Sequence, residues 1–305
     1  MQLKRSATIG LAVSGAVSAQ RPTDVSICDY YTTAVLTNNT AANQLTLLTV
    51  LVNTVVIGNY TMPNVGITVP GILAIGDFNG TKVNLLPYFN GALASSNRGG
   101  SSGVSVNFLD GGGAAPLLKN MPADDMTSNQ YFLLTHLYSF FGALLGCSKY
   151  GMAGFAAYNG QASMYNVHKF MDLDAAEVGY FISQVAMAGA SLGVANSDLQ
   201  AVGTALGGLF NVRCGPPTTA IPAQGPQLQS ICIDSSCALS PNSSCDSYAA
   251  PVAPQNASTS MPSSTMGTMT GTATTSATAI VSKAAAAATG VSLAAAACGL
   301  AALLL

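Results

Sequence analysis

Apolar residues recur at helical spacing in several stretches of the chain. Between Asp24 and Tyr60, Ile27, Tyr31 and Val35 are followed by Leu45, Leu48, Leu51, Val52 and Val55. Asn38-Asn39-Thr40 interrupts the run, so two helices joined by a short turn are expected there. Helical character returns at Thr127 or Ser128, a suitable N-cap, and continues from Gln130 through Leu145, with Gly146 placed to end it. A short helical segment is expected from Ser163 to Met171. Asp174 and Glu177 then form a capping box that opens a helix to about Leu192, with Val178, Phe181, Ile182, Val185 and Ala188 on one face. A last helix, starting near Ser197 or Asp198, carries Leu199, Val202, Leu206 and Leu209 before Cys214-Gly215-Pro216-Pro217 stops it. Between Thr61 and Pro122, Gly, Pro and Asn recur every few residues, and Gly66–Val69 and Val104–Phe108 are the short apolar runs. This region reads as loop with a few short strands or turns, so the expected fold is mainly α with a long insertion at 61–122.

Outside the helical pattern the chain changes character at both ends. Residues 1–19 join Lys4 and Arg5 to an apolar stretch and close in Val17-Ser18-Ala19, the layout of a secretory signal peptide. Residues 251–280 are rich in Ser, Thr, Pro, Ala and Met and hold no acidic or basic residue, which suits an O-glycosylated stalk. Small residues at 272–279, a spacer with Lys283 and the apolar tail 291–305 follow in the order of a GPI-attachment signal, expected over 281–305. The globular part is then 20–218, with a Cys-rich appendage at 219–250, displayed on a plasma membrane through the GPI lipid or on a wall glucan.

Only 7% of the residues are charged, and the net charge is −2. Without a basic excess, nucleic-acid binding has no electrostatic support. Five Asn-x-Ser/Thr sequons, at Asn38, Asn59, Asn79, Asn242 and Asn256, supply another route to solubility through N-glycans. Of seven cysteines, Cys298 falls in the tail. An even set remains: Cys28, Cys147, Cys214, Cys232, Cys237 and Cys245, which an oxidising compartment would pair. The close spacing from Cys214 to Cys245 suggests a loop-rich knot, with Cys28 tied to Cys147, although spacing alone does not select one pairing.

Candidate chemistry is sparse. The chain has two histidines, His136 and His168, too few for a three-imidazole zinc site. His136 lies one helical turn from Phe132, Leu133 and Phe140, and His168 shares a face with Met164, Tyr165 and Met171. Imidazoles on apolar, aromatic faces of separate helices are what a haem needs as axial ligands and walls. Hydrolase readings lack context. Ser163 or Ser191 with His168 and Asp172 has no Gly-x-Ser-x-Gly turn, and the acids Asp124-Asp125 and Asp172 with Asp174 sit where helix caps are expected. The glycine clusters 99–103 and 111–113 are not followed by Lys-Ser or Lys-Thr, so they read as mobile surface loops.

The order of Phe132 to Gly146, a glycine-containing loop with Tyr158, then Met164-Tyr165-Asn166-Val167-His168-Lys169-Phe170 and Asp174-Ala175-Ala176-Glu177-Val178-Gly179-Tyr180-Phe181 resembles the second half of the truncated, two-over-two globins. The resemblance covers about residues 127–212. It implies a globin-like helical domain, with His168 as proximal haem ligand and His136 on the distal side. Phe132, Phe140, Met164 and Phe181 would then wall the haem, Tyr31 would be the nearest match to the family's distal tyrosine, and oxygen or another diatomic gas would be the ligand. Gly146-Cys147 stands where the family has tandem glycines, and 61–122 has no counterpart in it. The competing reading is a structural or adhesive GPI-anchored glycoprotein without a cofactor. The two part on whether a cavity lies between the helices of His136 and His168.

Overall fold

The structure, a computed structural model, describes residues 20–61 and 64–257. The expected signal peptide, the stalk beyond Ala257 and the attachment signal lie outside the described residues. The chain is mainly helical: α1 (Ile27–Leu36), α2 (Ala41–Ile57), α3 (Leu86–Phe89), α4 (Ala114–Leu117), α5 (Asn129–Leu144), α6 (Met164–His168), α7 (Ala175–Ser191) and α8 (Asn196–Phe210). Among the described residues a single hairpin, β1 (Gly76–Phe78) with β2 (Thr81–Val83), pairs antiparallel.

Local chemistry starts most of the long helices. The side chains of Ser26, Thr40 and Ser128 accept hydrogen bonds from the third backbone amides of α1, α2 and α5. The capping box of α7 is reciprocal: Glu177 N–H donates to Asp174 Oδ1 at 2.8 Å, and Asp174 N–H to Glu177 Oε2 at 3.1 Å. The axes of α1 and α2 turn by 92° at the break around Asn38, where Thr37 adopts a φ of 65°.

The core forms around α2, which packs against α1, α5 and α7, while α8 packs on α7. Apolar side chains bury most of its circumference, Leu48 and Val52 among them, so α2 is a central helix rather than an amphipathic surface one. Polar contacts fasten the neighbouring segments. Tyr138 Oη donates to Asn53 Oδ1 at 2.6 Å and Asn53 Nδ2 to the Leu117 carbonyl at 3.2 Å, tying α5, α2 and α4 together.

The region 61–122 is more regular in its fastening than in its secondary structure. Neither Gly66–Val69 nor Val104–Phe108 forms a strand ladder. The hairpin instead turns at Asn79-Gly80, both with positive φ as a tight two-residue turn requires. Val104 makes a single bridge with Ser96. The 99–103 glycines, expected as a mobile loop, lie inside that closure: a Cβ at Gly103 would sit 2.2 Å from the Ala94 carbonyl oxygen, so only glycine fits.

The disulfides are Cys28–Cys147, Cys214–Cys245 and Cys232–Cys237. The Cys-rich segment packs back on the helices, with Cys232 N–H donating to the Phe210 carbonyl and Ile233 N–H to that of Leu173. Residues 251–257, expected as the start of the stalk, pair with the insertion: Ala94 N–H donates to the Gln255 carbonyl and Ala257 N–H to that of Ala92, both at 2.8 Å. The sequon asparagines Asn38, Asn59, Asn79, Asn242 and Asn256 are all exposed, Asn79 in the hairpin turn.

Candidate functional site

Two periodic strips build one cavity. On α5, Phe132, Leu133, His136, Leu137, Phe140 and Phe141 repeat at intervals that keep them on one side of the helix. On α6, Met164, Val167 and His168 do the same over a single turn. Phe181 of α7, Phe210 of α8 and Ile231 of the Cys-rich segment complete the wall, enclosing about 230 Å³. Both histidines face this space, as do Phe132, Phe140, Met164 and Phe181. Its exposed border is formed by Phe132, Gln161 and Arg98.

Tyr31 does not belong here. Its ring packs under α8 and its hydroxyl donates to Asp198 Oδ2 at 2.8 Å, because the corner between α1 and α2 aims α1 at the start of α8. Burial, with Asp198 nearby, pushes the Tyr31 hydroxyl up to about 12.

The two imidazoles are held alike. His136 Nδ1 lies 2.6 Å from the Phe132 carbonyl oxygen, and His168 Nδ1 lies 2.8 Å from that of Met164. A carbonyl can only accept, so each Nδ1 carries the proton, and in the neutral ring Nε2 presents its lone pair. A metal-binding imidazole is commonly oriented by such a second bond. The His136 ring is further sandwiched by Phe132, at 4.0 Å between centroids, and Tyr158, at 5.7 Å edge-on. Gly160 leaves room for this, since a Cβ there would come within 2.8 Å of His136 Cδ2.

Burial drives the His168 pKa below its ordinary value of 6.5, outweighing the bond to Met164. The unfolded chain therefore takes up this proton first as pH falls. The contribution to stability is complete above about pH 6.5 and is lost as the pH drops toward the folded pKa. Wild type should lose more stability than a His168→Gln variant between pH 7 and pH 5, measured as guanidinium midpoints at each pH. Equal losses would show that the ring is as well solvated as in the unfolded chain.

The structure also places the hydrolase candidates. Ser163 caps α6 and donates to the Leu228 carbonyl, and Ser191 donates to the Ala188 carbonyl at the end of α7. Asp174 is occupied by its capping box, and Asp125 accepts from the Thr127 amide and hydroxyl. These contacts are those of caps and helix ends rather than of a catalytic relay. Among the described residues, no group of three or more His, Cys, Asp or Glu converges as a metal site.

Several lining residues escaped pattern reading, Phe210, Ile231 and Arg98 among them, and Arg98 is the charged one. It precedes the glycine cluster, and its position depends on the Ser96–Val104 closure, which no local spacing announces. Comparison with protein-family models, curated proteins and solved structures finds no match for the chain.

Proposed function

We propose that the protein binds haem at the cell surface, in a globin-like arrangement of α5 to α8, with His168 as the axial ligand. The observation that carries this reading is that the two histidines of the chain line one aromatic-walled cavity, each with Nδ1–H anchored to its own helix. The donor set suits the group: imidazole nitrogens, apolar walls and no acidic residue among the described residues of the lining. Bound haem iron would supply the position at which oxygen or another diatomic ligand is taken up. His168, kept neutral by burial, holds its lone pair ready without first losing a proton. His136, stacked between Phe132 and Tyr158, would either help hold the group or guard the approach of its ligand. Phe140, Met164 and Phe181 keep water from the interior. At about 230 Å³ the enclosed space falls short of the roughly 300–1,000 Å³ of pockets that engulf a ligand, so a macrocycle would keep an edge in the open border.

The disulfides suit the extracellular setting that the GPI reading implies. The test is a haemin titration of protein released from an expressing secretory host by a GPI-specific phospholipase, a release step that itself checks the anchor. A Soret band saturating at one equivalent is expected, absent in His168→Ala and shifted in His136→Ala. A band indifferent to His168→Ala, or none, overturns haem ligation and leaves a glycosylated surface protein whose histidines serve packing.

A further inference from the structure

The cavity has a chemical polarity that the histidines do not account for. Its interior is aromatic and aliphatic, and Arg98, at the exposed border, is the charged side chain on its lining. The position of that side chain is set from several directions. Ser96 and Val104 exchange both backbone hydrogen bonds at 3.0 Å, closing the loop that carries it. The Ser96 hydroxyl accepts from the Arg98 amide at 3.3 Å. The guanidinium lies 4.4 Å over the Phe132 ring and 5.7 Å from that of Phe108, and one of its amino groups donates to Asn129 Oδ1.

A guanidinium stacked on an aromatic face keeps its edge donors for a planar acceptor in the same region of space. Arg98 forms no ion pair among the described residues. The adjacent acid, Asp110, is instead taken up by the start of α5: it accepts from the Gln130 amide at 3.0 Å and from Asn129 Nδ2 at 2.7 Å. An oriented cation at the border of an apolar cavity, with no carboxylate of the described residues paired to it, selects for a ligand that brings its own.

We infer that the ligand of this cavity is an amphipathic acid, its apolar body lying between the histidine-bearing helices and its carboxylate held at the border by Arg98. The inference rests on the reading of this cavity as a ligand site, but not on the ligand being haem. It assigns the insertion, which has no counterpart in the globin pattern, a part in ligand selection.

The experiment compares two acid and neutral pairs on the full-length protein: haemin with its dimethyl ester by absorbance, and dodecanoate with dodecanol by calorimetry, in one dilute co-solvent. Each acid should bind about tenfold more tightly than its neutral partner, the scale of one charge-assisted hydrogen bond at a part-exposed site. Arg98→Gln should remove that preference, so that each acid and its neutral partner bind alike, and Arg98→Lys should retain part of it. Because Arg98 is exposed, an unchanged helical circular dichroism spectrum is expected of both variants. Dodecanoate preference that depends on Arg98, without a His168-dependent Soret band, would keep the acid site and dismiss haem. A His168-dependent band with haemin and its ester bound alike would keep haem and overturn the acid site. Failure of both acids to bind overturns it as well.

Discussion

Replacing Cys28 and Cys147 together by alanine is expected to be the most destabilising change at any of the three disulfides. The bond joins residues 119 apart, whereas Cys232–Cys237 joins residues 5 apart. By the loop-entropy relation these restrict the unfolded chain by about 5 and about 2 kcal/mol respectively. Native contacts at the longer link reinforce the difference. Cys28 is 1% exposed and Cys147 7%, so both thiol positions are inside the core. Around them, Cys28 N–H donates to the Leu145 carbonyl, and Ser148 N–H donates to Asp29 Oδ1. Asp29 Oδ1 also accepts from Gln44 Nε2, so α1, α2 and the end of α5 meet at this seam. Guanidinium unfolding of the two double-alanine variants should place the Cys28/Cys147 pair lower by roughly 2–3 kcal/mol, with similar slopes. A Cys232/Cys237 variant of equal or lower stability would show that contacts near Leu173, not chain entropy, dominate. The consequence reaches the candidate site, because both Arg98 and His136 lie within the loop that Cys28–Cys147 closes.

What could be read from the chain was what neighbouring residues decide among themselves. Ser128, and Asp174 with Glu177, cap the helices they precede because the acceptor and the amide are three residues apart. The His136 and His168 faces were legible for the same reason: a helix period places each ring among its own apolar neighbours. Helix ends were less so. The segment at Ser163 stops at His168 rather than Met171, where the next turn is taken over by the Leu173–Cys232 pairing of distant strands of chain. Tyr31 was misplaced because its partner, Asp198, is 167 residues away and no periodicity relates them. The Asn79-Gly80 hairpin was a missed local signal, since Asn-Gly between short apolar runs is a hairpin turn in its own right. Arg98 was not recoverable in this way. Its stacking on Phe132 exists only after the loop closes on itself and docks against α5.

Asp198→Ala is expected to cost about 3 kcal/mol, the lower end of what breaking a buried ion pair costs, because Arg21 retains some access to water. Asp198 is 6% exposed and accepts two hydrogen bonds, from Arg21 Nε to Oδ1 at 3.1 Å and from Tyr31 Oη to Oδ2 at 2.8 Å, with Arg21 Nη2 in ion-pair contact with Oδ1 at 3.1 Å. Tyr31 Oη in turn accepts from the Ala195 amide at 2.8 Å, which satisfies the backbone N–H of the residue at the cap of α8. Removing the carboxylate takes the acceptor from Arg21 Nε and from the Tyr31 hydroxyl proton together. It also deletes a negative charge from the first turn of α8, where the helix dipole favours it. Arg21→Ala should cost less, since Asp198 keeps Tyr31 and its place at the helix start, and Tyr31→Phe should cost about 2 kcal/mol for the two hydrogen bonds of its hydroxyl. A double-mutant cycle between Arg21 and Asp198 should return a coupling above the few tenths typical of exposed pairs. If Asp198→Ala costs under about 1 kcal/mol, the cluster is no more than a surface pair and the argument fails. Position gives the cluster a second meaning: with cleavage after Ala19, Arg21 would be the second residue of the mature chain. A preparation trimmed past Arg21 should then match Arg21→Ala in stability, so heterogeneous processing would appear as two unfolding transitions in one sample.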